Sequence, residues 1–290
     1  MRRLIFILPA LILIALIIVF PAVETIRWSF WSWDGLQMTG FAGFENYIEL
    51  FRSSSFINLA RFPFQGPPWG ALIHNIVWVI IFIPVTAFLG LFLAVLFREV
   101  KGGSVLKSMV FLGMVVPLVV GGMIIRFMFD ERAGIVNALL RVVGLGDLAR
   151  TWTAYPNTAL LSLILGSIWI WTGFAMIIYS ASLELVPKDL YESASVDGAS
   201  AWKTFRRITI PMVRPATLIV VIMNLIYVLR IFDIVYVATA GGPGGASNVL
   251  ALQGYYDAFR LLEWGQASAI FTFLTVAAAA ISVFLVRRVR

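Results

Sequence analysis

The chain has 290 residues, 61% of them hydrophobic and only 13% charged, with a mean hydropathy of +0.94; a soluble domain of this length has no means of burying so much apolar surface, and the composition indicates an integral membrane protein. The formal charge of +7 does not require nucleic acid, because basic residues gathered on one side of a bilayer account for it more simply. The absence of cysteine excludes disulfides and thiolate metal sites and leaves the redox compartment unread.

Arg2 and Arg3 precede an apolar run over residues 4–23, about the length a helix needs to cross a hydrocarbon core. A cleavable leader shares that pattern, but Glu24, Thr25, Ile26, Arg27 and Trp28 follow instead of a small-residue cleavage site, so a retained anchor is expected. From Glu24 to about Ala71 the chain is mixed. Trp28, Trp31 and Trp33 suit an interfacial belt, Asp34-Gly35 and Gly40 signal turns, and a short helix is expected around Glu45 to Phe51. This loop fits a docking surface for a soluble partner and a folded cap over helix ends equally well. His74, the sole histidine, is expected to be structural, since one imidazole cannot build a metal site. Further spans are expected at residues 72–97, 105–129, 158–183, 216–239 and 267–286. The fold class is therefore an all-α membrane protein with six transmembrane helices in a single domain over residues 1–290. Pro84 and Pro117 lie inside spans and favour kinks, and Gly121-Gly122 permits close helix approach.

Charge predicts the orientation. Arg2 and Arg3, then Arg98, Lys101 and Lys107, then Lys188, Lys203, Arg206, Arg207 and Arg214, and finally Arg287, Arg288 and Arg290 fall in alternate segments. The opposite side carries only Arg27, Arg52, Arg61, Arg132, Arg141, Arg150 and Arg260. The positive-inside rule then places both termini and the loop 184–214 in the cytoplasm, in a multi-pass cell (inner or plasma) membrane protein.

That loop contains Pro187–Pro211, PKDLYESASVDGASAWKTFRRITIP, a charged island between two apolar segments. Its pattern predicts two short helices and a corner. Pro187 suits a first helical turn, after which Leu190, Tyr191 and Ala194 make a narrow apolar face. Asp197-Gly198 ends the first helix with Gly198 in a left-handed conformation. Ser200 can cap a second, on which Ala201, Trp202, Phe205 and Ile208 recur at helical spacing. An amphipathic element lying on lipid headgroups is the alternative reading.

Glu192-Ser193-Ala194, three residues, Gly198, nine residues, then Ile208-Thr209-Ile210-Pro211 resembles, position by position, the EAA loop of permease subunits in binding-protein-dependent ABC importers. Ser193 stands where a second Ala is usual and Ile210 where Leu is frequent. Thr239-Ala240-Gly241-Gly242-Pro243 resembles the T-x-G-G-P turn after the fifth span in the carbohydrate branch of that family. The likeness covers nearly the whole chain, and Ile168-Trp169-Ile170-Trp171-Thr172-Gly173-Phe174 and Phe232-Asp233-Ile234 draw it towards first-type permeases of the maltose, trehalose and α-glucoside class.

The resemblance implies a permease that pairs with a second permease subunit and two ATP-binding subunits, while an external sugar-binding lipoprotein or periplasmic protein delivers a di- or oligosaccharide. ATP and Mg would sit on the ATPase partners, with no cofactor on this chain. Coupling to the ATPase would fall to Glu192, Ala194, Asp197, Gly198, Ile208 and Pro211. Sugar contact would fall to Trp171 and Phe174 in the fourth span and Asn224, Tyr227, Val228 and Ile231 in the fifth. Asn224, Tyr227 and Ile231 also share one helical face by spacing alone, although each of the six side chains could instead pack between helices.

No catalytic constellation is evident, so the chain is not expected to be an enzyme. Gly241-Gly242-Pro243-Gly244-Gly245 lacks the Lys of a phosphate loop and reads as a turn. Asp130 and Glu131, beside Arg126 and Arg132, are expected to make surface ion pairs. Arg230 and Asp233, charged groups in an apolar run, are expected to pair with each other at i, i+3, with a gating or substrate-contacting role as the second reading. The alternatives are a glycerol-phosphate permease, for which only Arg126 and Arg230 could supply a cationic cavity, a proton-coupled secondary transporter, and a membrane enzyme or assembly factor. Neither internal repeats nor a network of buried carboxylates supports secondary transport.

Overall fold

The structure, a computed structural model, describes residues 2–98 and 100–289. Helix α1 covers residues 2–28 with one π-helical turn at Ala15–Val19. A hairpin follows, strand β1 (Trp31–Asp34) pairing antiparallel with β2 (Gln37–Phe41), then α2 (Glu45–Arg52), close to the expected short helix. The remaining helices are α3 (Ala71–Leu96), α4 (Gly103–Val115), α5 (Leu118–Met128), α6 (Ile135–Val142), α7 (Pro156–Glu184), α8 (Lys188–Val196), α9 (Ala201–Met212), α10 (Arg214–Leu229), α11 (Asp233–Thr239), α12 (Leu250–Tyr256, continued by a π-helical turn to Leu261) and α13 (Trp264–Val289).

Among the described residues four helices are individually long and apolar enough to cross a membrane, namely those at Phe6–Trp28, Ala71–Leu96, Pro156–Glu184 and Trp264–Phe284. Two bent pairs raise the number to six if each is one span: α4 with α5, at 105°, and α9 with α10, at 64°. The all-α membrane architecture is as expected, but two of the spans are not single helices. The span predicted at 105–129 breaks at Val116-Pro117, where proline lacks the N–H that would continue the ladder. The span predicted at 216–239 stops at Leu229 and restarts at Asp233. Pro84, by contrast, sits within the uninterrupted α3.

The centre of the bundle is α7, whose apolar residues run round most of its circumference, as a helix enclosed on several sides requires. Its N-terminal half joins Trp78 and Phe82 of α3, Ile125 of α5, Tyr227 and Val228 of α10 and Ile234 and Val235 of α11 in one buried cluster. Its other half packs Met176, Tyr179 and Leu183 against Ala94, Val213, Ala216 and Val220. The α3–α7 contact is close because it runs through Gly90: a Cβ there would lie 2.9 Å from the backbone of Ala175 and Met176. The apolar side chains of α1 between Phe6 and Phe20 are exposed along its length, a surface that only lipid or another apolar helix can cover.

Residues 29–70 form a folded cap. Asn46 donates to the carbonyls of Ser29 (2.9 Å) and Trp31 (3.0 Å), fixing the hairpin to α2. Trp28 and Trp33, 5.0 Å apart, both pack on Trp264 of α13, Trp28 edge-on and Trp33 tilted, so these indoles form a cluster of their own. His74 is structural: its Nε2 accepts from the Trp69 backbone N–H at 3.1 Å, and its Nδ1 donates to the Asn248 carbonyl at 2.7 Å. The next residue, Asn75, donates to the Val228 carbonyl at 2.9 Å and accepts from the Leu250 N–H at 2.9 Å. Those two backbone groups lie beside the interruption of the fifth span and at the start of α12. One buried amide therefore closes both.

Between the last two spans a polar chain continues from Asn248 through Gln253 to Asp257, each link 2.6 Å. Burial pushes the Asp257 carboxyl up to about 6, opposed by the Gln253 hydrogen bond and assisted by the charge of Glu263. The folded state thus holds a proton on Asp257 that the unfolded chain releases near 4. Stability should fall as pH rises from about 4 to 6 and level off above, and Asp257→Asn should remove that slope and raise stability at pH 7.5 by on the order of 2 kcal/mol; thermal unfolding in detergent across this range checks both. Replacing Asn75 with Leu strands the Leu250 N–H and removes one donor from the Val228 carbonyl, which keeps backbone donors at Arg230 and Ile231; the change should cost about 1–3 kcal/mol, read as a lowered melting temperature in the same assay.

Candidate functional site

Two features stand out, at opposite ends of α10. The first is the loop between α7 and α10. Pro187 is the residue before α8, one position earlier than expected. Gly198 takes φ +68°, the left-handed conformation that turns the chain, and Ser200 Oγ caps α9 by accepting from the Lys203 N–H at 3.4 Å. Tyr191 and Ala194 are half-buried while Leu190 is exposed, so the inner face of α8 is narrower than its sequence pattern. The Tyr191 hydroxyl meets Thr209 Oγ1 at 3.3 Å, bracing α8 against α9, and the Arg98 guanidinium lies 5.0 Å over the Tyr191 ring, bracing both against the end of α3.

A cavity of about 530 Å³ lies under this loop, bordered by Arg98, Lys188, Glu192, Phe205 and Thr209. Glu192, Asp197, Gly198 and Pro211 are exposed, and Ala194 and Ile208 are half-buried. The outer face carries apolar groups, with Val196 89% and Trp202 68% exposed and the Trp202 ring stacked on Phe205 at 5.8 Å. An exposed tryptophan braced by a second aromatic ring is a feature of surfaces that receive a partner.

The second feature is a cavity of about 300 Å³ at the interruption of the fifth span. Trp171 of α7, Tyr227 of α10 and Ile231 of the break line it, together with Leu118 at the start of α5, Phe232 and Ile234. The Trp171 and Tyr227 rings are 4.5 Å apart, and the Tyr227 hydroxyl donates to Ser167 Oγ at 3.3 Å. Three of the six expected contact residues therefore converge. The other three do not border the cavity: Phe174 packs behind it on Trp171 at 5.7 Å, Val228 is fully buried, and Asn224 is fully buried, about one turn before Tyr227, with no hydrogen-bond partner for either amide atom among the described residues. A buried amide left unpaired costs about 1–3 kcal/mol, a cost that a polar ligand reaching this depth could relieve. Leu118 escaped sequence reading, its one pointer being its place directly after Pro117, while Phe232 and Ile234 carried the family resemblance but no expected contact with a ligand.

Arg230 and Asp233 also line this cavity. The expected ion pair between them does not form, because the helix that would have held them at i, i+3 ends between them; among the described residues the one ion pair is Arg27–Glu24, at 2.9 Å. Nor do Asp130 and Glu131 make the expected ion pairs. Asp130 Oδ1 instead accepts from the N–H groups of Ala133 and Arg132, both at 2.9 Å, and these bonds hold its carboxyl below the usual range. The Thr239–Pro243 segment is a turn, as expected, locked by Ser247 Oγ donating to the Gly242 carbonyl at 2.6 Å.

Residues 86–290 match the family of binding-protein-dependent transport system inner membrane components. The chain belongs to this family. The permease is 52% identical to a probable ABC transporter permease protein of Pyrococcus horikoshii, over 98% of this chain and 96% of that protein. It is 29% identical to the trehalose/maltose transport system permease protein MalF of Thermococcus litoralis, over 98% of this chain and 92% of that one. A crystal structure of a bacterial ABC transporter involved in the import of the acidic polysaccharide alginate superposes over all of the permease and 95% of the matched chain, with a TM-score of 0.77 at 22% identity, which shows that the fold is shared.

The corner of the permease's loop gives a direct test. Space around Gly198 is open, so a side chain there meets only the backbone penalty of positive φ, about 1–2 kcal/mol. Gly198→Val should loosen the corner and speed tryptic cleavage at Lys203 and Arg206, whereas Gly198→Asn, which tolerates that conformation, should be cleaved at nearly the native rate.

Proposed function

We propose that the whole chain, residues 1–290, works as one transmembrane subunit of an ATP-driven importer that passes a di- or oligosaccharide, an α-glucoside such as maltose or trehalose, into the cytoplasm. The observation that carries this reading is the cavity at the break in the fifth span, where two aromatic faces 4.5 Å apart stand beside two unpaired charged side chains. Sugar rings are held by aromatic stacking on their C–H faces and by polar groups on their hydroxyls. The similarity to a trehalose/maltose permease along nearly the full chain supports the same class of substrate.

In this mechanism the α8–α9 knob faces the cytoplasm and seats on one of two ATP-hydrolysing subunits through its exposed face, with Glu192, Ala194, Asp197, Gly198, Ile208 and Pro211 at or near the contact. ATP and Mg bind the partners, and this chain makes no bond-breaking contribution. A second permease subunit covers apolar surface such as that of α1. The external binding protein releases its sugar to the outer face. Closure of the ATPase pair pushes the knob, and because α9 leads through a single bend into α10, the motion reaches the break at Arg230–Phe232. A two-helix element braced by Tyr191, Thr209 and Arg98 can carry a rigid-body displacement that an unstructured loop would absorb.

The reconstituted complex tests this reading. ATP hydrolysis and uptake should rise with binding protein loaded with maltose, trehalose or another α-glucoside, and hydrolysis that stays flat across all of these contradicts the proposal. Glu192→Lys should cut stimulated hydrolysis and transport by at least about tenfold while sugar binding by the external protein stays intact.

A further inference from the structure

The two charged side chains at the cavity are its least explained feature. Arg230 caps α10 and Asp233 opens α11, so the interruption separates groups that a continuous helix would have brought together. No nitrogen-to-oxygen contact within 4.0 Å joins them, and neither side chain hydrogen-bonds to any described residue. Both border the cavity of about 300 Å³, and among the described residues no other charged side chain does; Arg126, the remaining cation of the neighbouring spans, lies outside it. Arg230 is exposed and Asp233 half-buried, so both charges are open to whatever occupies the cavity. Two such charges of opposite sign on one cavity leave it neutral by balance.

The chemistry of the two groups defines what completes them. A guanidinium only donates hydrogen bonds and a carboxylate only accepts them, whereas a hydroxyl does both. An uncharged polyol lying on Trp171 and Tyr227 can accept from Arg230 and donate to Asp233 at once, satisfying both charges with charge-assisted bonds. A uronate or sugar phosphate would gain Arg230 and meet Asp233 as a like charge; an amino sugar would face the converse.

We infer that Arg230 and Asp233 are the specificity residues of this permease, and that together they select an uncharged polyhydroxylated ring and reject anionic sugars at the membrane cavity, independently of any selection by the external binding protein. The inference rests on the sugar reading given above. It places the discrimination on Asp233: with its charge removed, the same cavity becomes an anion site through Arg230.

Equilibrium dialysis of the complete importer in nanodiscs, without binding protein, against radiolabelled maltose, trehalose and a glucuronate-containing disaccharide tests it. The native complex should prefer the neutral sugars by at least about tenfold. Asp233→Asn should shift the neutral-to-anionic ratio at least about tenfold towards the uronate, Arg230→Gln should weaken neutral binding without that gain, and Asp233→Glu should restore the neutral preference. Asp233→Ser gives the same readout should the Asn variant fail to assemble. An unchanged ratio in the charge-removing variants, with neutral sugars still bound by the native complex, overturns this inference alone. Binding of none of the three sugars by the native complex overturns the sugar reading and this inference with it.

Discussion

Hydrocarbon offers no hydrogen bonds, so a chain that interrupts a helix within an apolar segment must supply partners for the backbone groups it frees. Here one residue does much of that work. Asn75 on α3 takes the Val228 carbonyl from the end of α10 and gives its own carbonyl oxygen to the Leu250 N–H at the start of α12. His74 beside it ties the Trp69 N–H to the Asn248 carbonyl. At this end of the bundle the break brings the two charges and the aromatic faces to the cavity.

The same requirement shapes the other end. The island between α7 and α10 is too polar for lipid, so it folds as two helices outside the apolar layer, stabilised by one glycine in the left-handed region, one serine cap and one tyrosine brace. Helix α10 connects the ends. It begins one residue after α9 and finishes at the cavity, while α7 runs beside it from the loop to Trp171 and beyond. Loop and cavity are thus two ends of one packed unit whose α3–α7 contact, through Gly90, leaves no room for a side chain. Close packing of this kind favours displacement of whole helices over local yielding.

Much of this was legible in the residues. The apolar runs announced the membrane helices, the spacing from Glu192 to Pro211 announced the two-helix loop, and Gly198 and Ser200 sit in the conformation and the cap that their chemistry favours. The break at Pro117 was signalled by the proline itself, but the interruption of the fifth span was not legible, because a hydropathy window averages over a break of three residues. Arg230 inside an apolar run was the signal, and helical spacing to Asp233 pointed to a pair that the break removes. The hairpin at Trp31–Phe41 was hidden for a related reason: its tryptophans suit an interfacial belt, and strands of 4 and 5 residues are too short for alternation to stand out. Asn75 could not be singled out at all, since its partners lie 153 and 175 residues away.

The central claim is that ATP binding by the partner subunits, transmitted through the loop, changes access to the cavity at the break. Because the chain contains no cysteine, a single introduced thiol is the one labelling site on this subunit, read on its own band. Phe232→Cys in the complete importer, labelled from the outside with a membrane-impermeant maleimide, should react at rates differing by at least about tenfold between the nucleotide-free complex and one held closed with a non-hydrolysable ATP analogue. Equal rates in the two states would contradict the account.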